Sequence, residues 1–108
     1  MAQNFRRYTS NAVGATPAAV YTANSYDAIV GISLSNILGT AINVSCYIND
    51  GSNNIYLVKD APIPTGGALQ VLDGGAKFVV QNLDVLSVVS DTASSCDVWV
   101  SAVDEIST

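Results

Sequence analysis

The side chains able to do chemistry are few in this chain, and their spacing argues against catalysis. There is no histidine, so neither a Ser-His-Asp nor a Cys-His nucleophile system can be built. Lysine can stand in as a base, but only Lys59 and Lys77 are present and no S-x-x-K motif accompanies them. Neither a Walker loop nor a G-x-G-x-x-G run occurs. Asp27, Asp50, Asp60, Asp73, Asp84, Asp91 and Asp97 are scattered singly, mostly where strands should end and Asp serves turn backbone groups. Nothing in the sequence selects two of them as a pair for glycoside hydrolysis. Asp104-Glu105 could hold a cation weakly, and a solvated chain end is the simpler reading. Neither an enzymatic activity nor a cofactor is expected.

Cys46 and Cys96 stand fifty residues apart with no C-x-x-C arrangement, and two thiolates without histidine are an incomplete zinc set. They can bridge facing strands, as in an Ig-like sandwich, or lie in the core as small hydrophobes. The start "MAQNFRRYTS" has no apolar segment and does not read as an export signal, so two buried free thiols are expected. The sequon Asn43-Val44-Ser45 carries no weight for the same reason.

The Gly-rich run "DAPIPTGGALQVLDGG" raises the question of a ligand cradle. Its Gly pairs precede no helix and so lack the helix N-terminus that makes a phosphate site. Pro62 and Pro64 have no N–H and cannot sit in the middle of a ladder, and Thr65-Gly66-Gly67 permits a sharp turn. The run therefore predicts a structural corner built on Pro62, Pro64, Gly66 and Gly67, an edge or a crossing between sheets, after a strand "YLVK" that ends at Asp60.

The elements around these residues read as strands. Val, Ile, Thr and Tyr recur, the usual fillers of helix surfaces are scarce, and turn signals return every eight to twelve residues, as in all-β domains. In "AIVGISLSN", Val30, Ile32 and Leu34 share one face and Gly31, Ser33 and Ser35 the other. In "AINVSCYIN", Ile42, Val44, Cys46 and Ile48 face inward, and "NIYLVK" beyond the "NDGSNN" turn is its hairpin partner. "AAVYTA", "ALQVL", "AKFVVQ", "DVLSVVS" and "CDVWVSAVDEI" complete the set. The expected fold is an all-β antiparallel sandwich of about seven or eight strands, Ig-like or jelly-roll-like. Residues 1–17 form an N-terminal arm or edge strand and residues 18–108 a single sandwich domain.

Parity then nominates surface residues. Cys96, Val98, Val100 and Ala102 share a face, which leaves Asp97, Trp99, Ser101 and Val103 outside with the chain's only Trp among them. Tyr47 falls outward by the same count, and a β-bulge returning Trp99 to the core is the alternative. Outward aromatics on a charge-poor surface are candidate interface anchors. Only 12% of residues are charged, against roughly 25% in an ordinary soluble domain. Such a surface resists association poorly and suits a subunit of a homo-oligomer or larger assembly. With a net charge of −5, no nucleic-acid partner is expected. No apolar run is long enough for a membrane helix, so no membrane partner is expected. Arg6-Arg7, beside Tyr8, either docks on an acidic neighbour or is a solvated pair.

The pattern carried by Pro62, Ile63, Pro64, Gly66, Gly67, Asp84, Leu86, Val88 and Ile106, with "NFRRYTS" at the start, resembles that of small structural proteins of tailed bacteriophages. The resemblance implies a virion component made in the cytoplasm of a bacterial host, with other virion proteins such as the major capsid protein or tail and neck subunits as partners. Small size, one domain and an N-terminal arm point to a capsid decoration (cement) protein, with a neck, baseplate, tail or fibre-adaptor component as the alternative. Exposed Tyr47, Tyr56 and Trp99 would also suit a carbohydrate-binding host-attachment module.

Overall fold

The structure is a computed structural model that describes residues 4–24, 26–72 and 78–107. Gly74-Gly75, the start of "AKFVVQ" and Lys77 lie outside the described residues. Nine strands are described: β1 (Asn4–Val13), β2 (Ala18–Thr22), β3 (Tyr26–Asn36), β4 (Ile42–Asn49), β5 (Asn54–Ile63), β6 (Ala68–Leu72), β7 (Phe78–Val80), β8 (Val85–Ser90) and β9 (Cys96–Ser107). They form two antiparallel sheets. Sheet A runs β1-β9-β3-β6, with β7 also pairing β3, and sheet B runs β2-β8-β4-β5. Every link changes sheet except β4–β5 and β6–β7. The count exceeds the expected seven or eight because residues 4–13 pair with β9 as a full edge strand.

The core lies between the sheets, where Ile29, Ile32, Leu34 and Val100 of sheet A meet Ile42, Val44, Leu86 and Val88 of sheet B, all essentially unexposed. Burial of this kind is worth roughly 1.5–3 kcal/mol per large aliphatic side chain. One parity expectation is corrected. Ile29 pairs Ala102 but Gly31 pairs Ser101, so Val30 is an extra residue in a bulge. The extra residue resets the period, and Ile29 takes the core place expected of Val30, which is only half-buried.

The strand expected to end at Asp60 continues to Ile63. Residues 59 and 60 together oppose Ser45, Asp60 adopts φ 50°, and its N–H donates to Ser45 Oγ at 2.9 Å. This bulge lets an edge strand carry Pro62, whose missing N–H costs no ladder bond on its unpaired side. Residues 64–67 then turn, with Gly66 at φ 72° and the Gly67 N–H on Pro64 O at 2.9 Å, and the chain passes from sheet B into sheet A. Asn36, at the end of β3, ties this corner. Its Nδ2 donates to Thr40 O, Ile63 O and Pro64 O at 2.7, 3.1 and 3.2 Å, and its Oδ1 accepts the Leu38 N–H at 2.9 Å.

Cys46 and Cys96 are free, fully buried thiols, one in each sheet. Burial pushes Cys46 from the ordinary 9.0 to about 12, with the neighbouring Cys96 adding to it. Burial, then the charge of Asp97, raises Cys96 to about 11. Burial and the Asp104 hydrogen bond likewise lift Tyr8 from 10.0 to about 12. Each folded value exceeds the unfolded one, so the folded state holds protons that the unfolded state releases, and stability falls as pH rises through this window. Unfolding midpoints in urea should hold level from neutrality to pH 9 and drop steadily between pH 9 and 12. Cys46→Ala should flatten the start of that fall; an unchanged slope in this variant would rule the thiol out as its source.

Candidate functional site

The outer face of sheet A carries the distinctive surface, and its rows follow from strand register. At one end Phe5 pairs Val103, Val103 pairs Ala28, and Ala28 pairs Val79. This is an unbroken apolar row across β1, β9, β3 and β7. Phe5 is 81% and Val79 62% exposed, while the smaller Ala28 and Val103 between them are buried. The same end gathers Tyr26, Leu83 and Ile55, all exposed, because the β2–β3 turn, the β7–β8 link and the start of β5 lie there. The long axis of the molecule is 45 Å against 28 and 20 Å across, so this apolar end is a pole of an elongated body.

Two rows further along, about 13 Å at ~3.3 Å per residue, the face changes character. Thr9 pairs Trp99, Trp99 pairs Ser33, and Ser33 pairs Gln70, whose Nε2 donates to Ser33 Oγ at 3.1 Å. Trp99 is 52% exposed, with no bulge returning it to the core. On one side of it Arg7 places its guanidinium carbon 5.6 Å from the ring centroid. On the other lies a shallow groove of about 320 Å³ floored by polar side chains of β1, β3 and β9. Asp97 there accepts the N–H of Ala12 at 2.8 Å, which holds the β1 bulge in which Ala12 takes φ 54°.

The structure separates Arg6, Arg7 and Tyr8. Arg7 lies on the outer face over Trp99. Arg6 reaches the buried Asp104, Nε to Oδ2 at 3.1 Å. Tyr8 turns between the sheets, its ring 4.3 Å from that of Tyr21, and its hydroxyl donates to Asp104 Oδ2 at 2.9 Å. Tyr21 in turn donates to the buried Asp27. Tyr8 thus closes the gap between the edge strands β1 and β2 and is only partly exposed. Tyr47 also differs from expectation. It faces outward on sheet B, but the Tyr56 ring packs 5.1 Å from it and it is only 9% exposed. Tyr56 is the exposed aromatic of that face, with the Lys59 ammonium 4.7 Å from its ring. Phe5 and Val79 were not among the sequence candidates. Phe5 lies in the segment expected only as an N-terminal arm or edge strand, and the pairing of β7 with β3 joins residues 51 positions apart. Among the described residues no group of three His, Cys, Asp or Glu is placed to hold a metal ion.

No protein-family model and no curated protein matches the chain. Solved structures share its fold. One is a chain of the acidic stable capsid structure of Helicobacter pylori bacteriophage KHP30, with a TM-score of 0.60 and 10% identity over 95% of this chain and 87% of that one. Another belongs to Bacillus endospore appendages, a family of disulfide-linked pili, with a TM-score of 0.52 and 20% identity over 94% of this chain and 84% of that one. The likeness is one of fold: a small all-β domain structurally related to phage capsid and pilus proteins. The high coverage in both directions makes these chains similar in length to this one.

Proposed function

We propose that this protein is a non-enzymatic structural subunit of a bacteriophage particle, a decoration (cement) protein seated on the shell by the apolar pole of sheet A. The row Phe5–Val103–Ala28–Val79 carries the reading. Interfaces concentrate their energy in a few large apolar and aromatic anchors in a charge-poor centre, and this pole offers such anchors on rigid strands. The strand order, with β6 and β7 taken as one interrupted strand, supports a jelly-roll reading of the sandwich, an arrangement found in viral capsid domains. The likeness in fold to a chain of a phage capsid structure, over 95% of this chain and 87% of that one, supports a particle component. The reading also implies synthesis in the host bacterial cytoplasm, followed by assembly into the virion with the shell protein as partner. The chain has two cysteines, both fully buried, so a native subunit offers no thiol for a bridge to a neighbour, which weighs against covalently linked, pilus-like assembly.

The test is to add purified protein to particles stripped of it. Phe5→Glu with Val79→Glu should keep the circular dichroism and melting temperature and bind at least about tenfold more weakly, the loss of one or two anchors. Trp99→Ala should bind like the parent. Wild-type copy number should approach that of the shell subunit. Retained binding by the double variant, or a copy number matching a single ring at a neck or baseplate, would overturn the decoration role.

A further inference from the structure

The Trp99 groove is chemically unlike the pole proposed to dock. Its lining is Thr9, Ser10, Asn11, Ser33, Ser35, Asp97 and Val98 beside the indole, which supplies hydroxyls, one amide and one carboxylate with a single aromatic wall. No Lys or Arg lines it, and the chain carries a net charge of −5, so phosphate, sulfate or nucleic acid finds no counter-charge there. A protein partner would look for apolar area around the Trp, and the side chains there are small and polar.

The ring is also held in place. Arg7 sits in the row on the side of Ser101 and Gly31, whereas the groove lies toward Asn11, Asp97 and Ser35. The guanidinium therefore backs the indole from the side away from the groove. Both neighbours stand on paired strands, so the wall needs little ordering when a ligand arrives. A groove of about 320 Å³ is at the lower end of the roughly 300–1,000 Å³ of small-ligand sites.

We infer that this groove binds a neutral saccharide of one or two rings. The C–H face of a pyranose presents weakly positive hydrogens to the electron-rich indole face. Its hydroxyls then meet the Ser, Thr and Asn side chains as both donors and acceptors, with Asp97 as a charged acceptor that strengthens the bonds it receives. The groove shares the outer face of sheet A with the apolar row but lies about 13 Å along the strands from it, so a decoration subunit held by its pole would present the groove to solvent.

Trp99 is the only Trp of the chain, so intrinsic fluorescence reports on this site alone. The full-length protein is titrated with glucose, galactose, mannose, N-acetylglucosamine and their common disaccharides up to about 50 mM, in the range where weak binding is readable. At least one should give a saturable emission change together with saturation-transfer NMR signals. Trp99→Ala, followed by NMR, should abolish those signals. Ser33→Leu with Ser35→Leu, which keeps Trp99 as reporter and whose folding is checked by melting, should raise the midpoint at least about tenfold. Absence of a saturable response across the panel overturns the inference, as does a response that both variants retain. Tighter binding of a sulfated or sialylated sugar than of its neutral parent does the same. None of these outcomes bears on particle docking, which is read from the Phe5 and Val79 variants.

Discussion

Replacing Asn36 with leucine is expected to cost about 3 kcal/mol of folding stability, read from urea unfolding, and to lower the melting temperature by more than about 10 °C. Asn36 is 5% exposed and occupies the meeting point of three segments. Its amide serves the carbonyls of Thr40, Ile63 and Pro64, and its oxygen accepts from Leu38. Leucine keeps the branching and the number of side-chain heavy atoms, though it is bulkier, and supplies none of these bonds. It leaves the Ile63 carbonyl, a buried acceptor, without its side-chain partner, and desolvating one such group costs about 1–3 kcal/mol. Aspartate separates the contributions. It keeps the acceptor for Leu38 but sets a carboxylate against three carbonyl oxygens, so Asn36→Asp should be at least as damaging as Asn36→Leu. If Asn36→Asp were close to wild type, the amide donors would not be what holds the corner. A total of several kcal/mol is a large share of the roughly 5–15 kcal/mol available to a domain of this size.

The second large effect is expected at Asp104. Its carboxylate is nearly unexposed and accepts from Tyr8 and Arg6, both on β1. Asp104→Ala should destabilise by about 2–3 kcal/mol, because the Tyr8 hydroxyl loses its acceptor in a half-buried place. Arg6 is mostly exposed, so Arg6→Ala should cost less than about 1 kcal/mol. Tyr8→Phe should cost about 1–2 kcal/mol, and combining it with Asp104→Ala should add clearly less than the sum, because both remove the same bonds. Strict additivity would mean that Tyr8 and Asp104 do not act as a unit. The function is also exposed to this change. Asp104 anchors the strand that carries Phe5, so Asp104→Ala should loosen β1, raise amide exchange from Phe5 to Thr9, and weaken particle binding while the groups of the pole remain in the chain.

The corner and the last strand were legible in the sequence for different reasons. Pro62, Pro64 and Gly66-Gly67 act through local backbone restrictions that any fold must obey, so a crossing could be placed from them without tertiary knowledge. The alternation of Cys96, Val98, Val100 and Ala102 over an unbroken strand placed Trp99 outside, and it is there. Illegible was what depends on one extra residue. The bulge at Val30 moved Ile29 into the core, and the bulge at Asp60 carried β5 past its expected end, because a single insertion reverses every later face and leaves no mark in composition.

The sequence by itself determined an all-β architecture, a chain without the histidines or motifs of familiar catalysis, and a low content of charged residues. These follow from residue types and short-range periodicity, which do not depend on where the segments finally lie. Tertiary structure alone decided which residues meet. Register across β1, β9, β3 and β7 aligned Phe5, Val103, Ala28 and Val79 into one apolar row, set Arg7 against Trp99, and turned Tyr8 inward to Asp104. The pairings join residues up to about a hundred positions apart. They are selected by the burial of the whole core and not by any local signal, so the surfaces proposed to act appear only once both sheets have closed over it.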